Sequence, residues 1–164
     1  MTQATAAAPI AYTSGQKILH WAVVVLIAAQ WLIFDSMGRP FHASMDAGAP
    51  VWSTIPVIHL GIGVAVLALA LARLGLRARH GAPEAPDDEP ELFRTASKWA
   101  HRAMYALLLL MPLSGLVAWF GLVGSVAEAH EIMMNLLLAL IAAHVAAVLV
   151  HQFVWKTDLL QRMK

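Results

Sequence analysis

The chain has 164 residues, 60% of them hydrophobic and 13% charged, against about 45–50% and about 25% in ordinary soluble domains. That balance, with a mean hydropathy of +0.67, excludes a water-soluble globule and assigns the surplus apolar surface to lipid. The formal net charge of +1 offers no basic field for nucleic acid, and the absence of cysteine excludes disulfides, thiolate metal sites and covalent c-type haem attachment.

In chain order, residues 1–11 read as a disordered lead, and residues 12–164 as one all-α four-helix transmembrane bundle. Four stretches free of charge, residues 18–34, 47–72, 103–127 and 132–155, run for 17, 26, 25 and 24 residues. A span needs about 20 apolar residues, so the first borrows residues 12–17 with Lys17 snorkelling to the surface. The expected helices are about 14–37, 51–77, 94–122 and 127–156. Between them lie a loop at 35–50, a short turn at 121–129 and an acidic, proline-rich linker at 81–91, read as a solvated connector between two hairpins.

Charge orients the bundle. Of eleven Lys and Arg, ten (Lys17, Arg73, Arg77, Arg79, Arg94, Lys98, Arg102, Lys156, Arg162 and Lys164) fall on one side and only Arg39 on the other. Positively charged loops stay inside, so both termini are expected in the cytoplasm.

Eight histidines remain to be explained. Ionisable residues inside a membrane are costly and mark function by default. His42 and His80 fall in loops, as ordinary solvated side chains. His20 lies near the cytoplasmic end of the first span, His59 in the outer part of the second and His101 near the cytoplasmic end of the third. His130, His144 and His151 share the fourth. Fourteen residues at about 100° each leave His130 and His144 about 40° apart in azimuth and about 21 Å apart along the axis. One helix therefore offers a ligand at each of two depths, and His20 and His59, at opposite depths, can supply the partners.

The surroundings narrow the metal. Structural zinc wants four close ligands, usually including Cys or carboxylate, and the spans contain neither. Non-covalent haem b needs two axial nitrogens, an apolar slot and cations for its propionates. Gly61, Gly63, Gly115, Ala139, Ala143 and Ala147 can provide the slot, and Lys17, Arg73, Lys98 and Arg102 the cations. Lipid-helix packing and the charge rule explain the same small and basic residues without a cofactor. Depth alone leaves the inner pairing open, with His101 and His151 as further candidate ligands.

These residues carry a resemblance. His20-Trp21, His59-Leu-Gly61, Lys98-Trp-Ala-His-Arg102 with Tyr105, Met111-Pro-Leu-Ser-Gly115, His144-Val-Ala-Ala and His151-Gln-Phe-Val-Trp155-Lys-Thr-Asp158 occur in one order. Over residues 12–164 the chain resembles the bacterial cytochrome b561 family, small di-haem proteins of the inner membrane. The resemblance implies an inner haem on His20 and His144, an outer haem on His59 and His130, and a quinone pocket at His151. It also implies electron transfer between quinone and an outer redox partner, with superoxide:ubiquinone oxidoreduction among the activities. The outer loops set Arg39 against Asp35, Asp46, Glu128 and Glu131, a field that repels an anion, so superoxide stands as a candidate substrate beside a protein donor or acceptor and not as the lead. Two alternatives stand beside this reading: a cytochrome b anchor subunit of a larger periplasm-facing redox complex, and a histidine-lined metal-ion or proton transporter.

Overall fold

The computed structural model describes residues 11–33, 36–84, 89–157 and 159–164. Most of the expected lead at 1–11, Asp35, residues 85–88 of the linker and Asp158 lie outside the described residues. Among the described residues there are five α-helices, α1 (Ser14–Ile33), α2 (Gly38–Ala47), α3 (Thr54–His80), α4 (Glu91–Gly121) and α5 (Gly124–Val150), the last continued by a π-helical turn at His151–Trp155. The all-α, four-span expectation holds, since α1, α3, α4 and α5 are each long and apolar enough to cross a membrane. At 27 residues α3 reaches about 40 Å, more than a hydrocarbon core of about 30 Å.

Local chemistry explains the ends. α1 starts in a capping box: the Gln16 amide donates to Thr13 Oγ1 (3.3 Å), and the Thr13 amide donates to Gln16 Oε1 (2.9 Å). The same Gln16 side chain gives its Nε2 proton to the Gly81 carbonyl (3.0 Å), tying the start of α1 to the end of α3. α3 closes on Arg77, Arg79 and His80, cations suited to a helix C-terminus.

α2 departs from the expected loop at 35–50. Pro40 in its first turn and Gly48 after its last residue, at φ +65°, bracket a short helix. Ser44 is buried at its centre, donating to the Pro40 carbonyl (2.8 Å) and accepting from the Val51 amide (2.9 Å), which turns the chain back toward α3. His42 sits on this helix, exposed. The sequence shows no long apolar run here, and one buried serine supplies the ordering that hydropathy does not register.

The linker is docked as well. Gly81 is held by Gln16, the Glu84 carbonyl accepts from Arg162 (2.8 Å), and Glu89 is buried. The chain on either side of residues 85–88 is therefore fastened to α1 and to the C-terminal segment.

Packing is closest between α1 and α3, α3 and α4, and α4 and α5. Val23, Val66, Ala70, Leu108 and Leu137 form the buried cluster at the centre, flanked by Leu26, Ile62, Leu107 and Met111. Val25, Leu71, Leu110 and Leu149 point outward and are at least half exposed, as lipid-facing side chains must be.

Candidate functional site

The buried cluster divides the histidines into two levels. Leu137 stands seven residues from both His130 and His144, and Leu108 seven from both His101 and Gly115. Seven helical residues span about 10 Å, so a dry aliphatic layer separates two polar sites.

At the level distant from the termini, α3 brings His59 to His130 on α5, with ring centroids 6.2 Å apart and planes 58° apart. His130 is anchored. Its Nδ1 lies 2.8 Å from the Met111 carbonyl and 3.2 Å from Ser114 Oγ, and that hydroxyl donates to the same carbonyl at 2.7 Å. Since a carbonyl only accepts, Nδ1 carries the proton and Nε2 is left with its lone pair. Gly115 makes this possible: a Cβ there would stand 2.9 Å from His130 Cε1 and 3.1 Å from Nδ1. The ring thus lies in a cradle that any side chain would fill. From α1, Gln30 donates to the His59 carbonyl (3.0 Å), and its buried Oε1 has no hydrogen-bond partner among the described residues. Trp52 packs edge-on against buried Trp119, ring centroids 5.6 Å apart, beyond this site.

At the other level, three imidazoles gather. His144 on α5 meets His101 on α4 edge to face, centroids 5.2 Å apart, and His101 Nδ1 is held by the Ser97 carbonyl one turn back (2.7 Å). His20 on α1 has a buried Nδ1 with no hydrogen-bond partner among the described residues. Arg73 from α3 stacks over Tyr105 at 5.5 Å and lies within electrostatic range of both His20 and His144. Arg102 instead turns onto Trp99 (4.9 Å), and Lys98 is exposed.

His151 stands apart from both groups. It is buried in the π-helical turn, its Nδ1 on Thr157 Oγ1 (2.8 Å), its Nε2 3.4 Å from Glu89 and its ring edge-on to Trp155. Gln30, Ser114 and Glu89 carry no role in the sequence reading. For Gln30 the signal was available, an amide within a span. For Glu89 it was not, because its partner is 62 residues away.

The donors present fit haem b. Two levels hold imidazoles, one with a lone pair presented and one with a buried nitrogen that finds no hydrogen-bond partner among the described residues, and apolar side chains separate them. Among the described residues no three His, Asp, Glu or Cys side chains converge on a chelating position, so axial ligation suits the site better than a closed zinc cage. A membrane bundle with histidines at two depths and no cysteine fits the class of non-covalent membrane cytochromes.

Comparison with known proteins agrees. Residues 11–164 match the prokaryotic cytochrome b561 family, and the chain belongs to it. The chain is 32% identical to cytochrome b562 of Cereibacter sphaeroides, over 93% of this chain and 94% of that protein. It is 25% identical to a probable superoxide oxidase CybB of Yersinia pestis, over 93% and 94%. It is 24% identical to cytochrome b561 homolog 1 of Escherichia coli K12, over 93% and 96%. The chain is accordingly a multi-pass membrane electron-transfer protein of the bacterial inner membrane, of a family that carries haem b.

Proposed function

We propose that residues 12–164 form a di-haem b unit that passes electrons between the quinone pool and a redox partner outside the membrane. His59 and His130 are the axial ligands of one haem, His20 and His144 those of the other. The observation that carries this is the His59–His130 pair: two rings 6.2 Å apart, one with its distal nitrogen committed to a carbonyl. With metal–imidazole bonds of about 2 Å, rings at that separation can share one ion. Haem b, when bound, supplies a one-electron couple; the chain supplies ligation, spacing and field. Arg73 faces the propionates at the His20 level, with Lys98 and Arg102 as cations of the same end.

The charge distribution supports a cytoplasmic position for that end and for both termini. Ubiquinone exchanges electrons there, with His151 lining its pocket beside Glu89. The partner outside is a redox protein. A second reading, superoxide as the donor, has the similarity to a probable superoxide oxidase in its favour. Exposed Asp46, Glu128 and Glu131 against Arg39 weigh against it by repelling an anion.

A reduced-minus-oxidised visible spectrum with a haem-to-protein ratio tests the proposal. Two low-spin b haems per chain are expected, with His130→Ala and His144→Ala each losing a different one. A folded, colourless protein, or loss of the same haem in both variants, would overturn it.

A further inference from the structure

Among the described residues Glu89 is the only buried acid. It belongs to a linker whose neighbouring Glu84, Pro90 and Glu91 are exposed, so its carboxyl group alone turns inward. Burial of a carboxylate is costly unless it is paired. Its partner is His151 Nε2 at 3.4 Å, itself buried. The opposite nitrogen of that ring, Nδ1, lies 2.8 Å from Thr157 Oγ1. The Thr157 amide donates to the His151 carbonyl (3.0 Å) and Trp155 packs edge-on against the ring at 4.6 Å, so both the hydroxyl and the imidazole are fixed.

An imidazole with an oxygen at each nitrogen can accept a proton on one side and release one on the other. Carboxyl group, ring and hydroxyl therefore form a continuous path for a proton. Among the described residues the other charged group bonded to this path is Arg94 of α4, whose guanidinium donates to the Glu89 backbone carbonyl (3.2 Å) and holds the linker end in place. A haem couple exchanges electrons and has no use for such a path. Quinone has, because it takes up protons with its electrons.

We propose that Glu89 loads protons into the quinone site through His151 and Thr157. The Thr157 hydroxyl gives its proton to a quinone carbonyl oxygen and takes one from His151 Nδ1; His151 takes one at Nε2 from Glu89, which recovers its own from the water on that side of the bundle. The other carbonyl oxygen is protonated from water. The outer redox partner supplies the two electrons that complete the quinol. This inference rests on the placement of quinone at His151 proposed above.

Mixing pre-reduced holoprotein with a short-chain ubiquinone, and following haem reoxidation between about pH 6 and about pH 9, tests it. Glu89→Gln should keep both haems and slow reoxidation at least about tenfold at neutral pH, with a rate that falls as protons become scarce while the wild-type rate stays level. Glu89→Asp should recover most of the rate, and formate, a small carboxylic acid, should speed Glu89→Gln in proportion to its concentration. Thr157→Val should be slow and Thr157→Ser should not. A wild-type rate and pH profile in Glu89→Gln, beside a slow His151→Ala, overturns the role of Glu89. So does a slow Glu89→Gln that neither formate nor the aspartate variant speeds, since the contact then only holds the linker. Reoxidation of His151→Ala at the wild-type rate would instead overturn the placement of quinone, and the inference with it.

Discussion

Gly115→Ala should empty one haem site and leave the other intact. The new methyl would stand 2.9 Å from His130 Cε1, so the ring must retreat by about 0.5 Å to reach the 3.4 Å of ordinary contact. The ring is fixed by its bond to the Met111 carbonyl, and retreat breaks that bond. Overpacking costs about 1–3 kcal/mol, and a lost hydrogen bond adds about 0.5–1.5 kcal/mol. The sum of about 1.5–4.5 kcal/mol corresponds to a fall in haem affinity of roughly 10- to 1,600-fold at that site. The assay is haem-to-protein stoichiometry after purification, with Gly75→Ala as the control because a Cβ there meets nothing within 4 Å. About one haem per chain is expected for Gly115→Ala and two for Gly75→Ala. Two haems and an unchanged spectrum in Gly115→Ala would refute the placement of the His130 ring against α4.

The remaining predictions concern how the bundle is held. Leu137→Ala removes a side chain only 2% exposed from the layer between the sites, and should destabilise the protein by about 2–5 kcal/mol; an unchanged melting temperature in detergent would contradict the central layer. Glu89→Ala leaves buried His151 short of a partner at a cost of about 1–3 kcal/mol, and should speed proteolysis within residues 81–91, whereas unaltered cleavage would mean the linker is fastened elsewhere. Gln16→Ala removes the side-chain half of the α1 capping box and the bond to Gly81, and keeps only the backbone amide's bond to Thr13 Oγ1. It should lower stability by about 1–2 kcal/mol, measured by chemical denaturation in micelles.

Hydropathy and charge made the four spans legible, because a helix in lipid must be apolar along its whole length. The fourteen-residue interval between His130 and His144 likewise contains its own geometry, since helical pitch converts sequence distance into depth. The π-turn at 151–155 and α2 were not legible. The first differs from α-helix only in which carbonyl each amide reaches, and the second is ordered by Ser44 and Gly48 more than by any apolar pattern. In the linker, acidic, proline-rich composition describes solvation, while the fastening of its described ends depends on Gln16, His151 and Arg162 from distant parts of the chain.

The sequence by itself determined that this is a membrane bundle with imidazoles at two depths, because span length, charge scarcity and helical periodicity are local properties of the chain. Tertiary structure decided which imidazoles meet. It set His130 against Gly115 and Met111, brought His101 to His144, and closed Glu89 on His151. Those outcomes depend on helix rotation and on close approach between helices far apart in sequence, which steric fit and hydrogen-bond satisfaction settle only once the helices are packed.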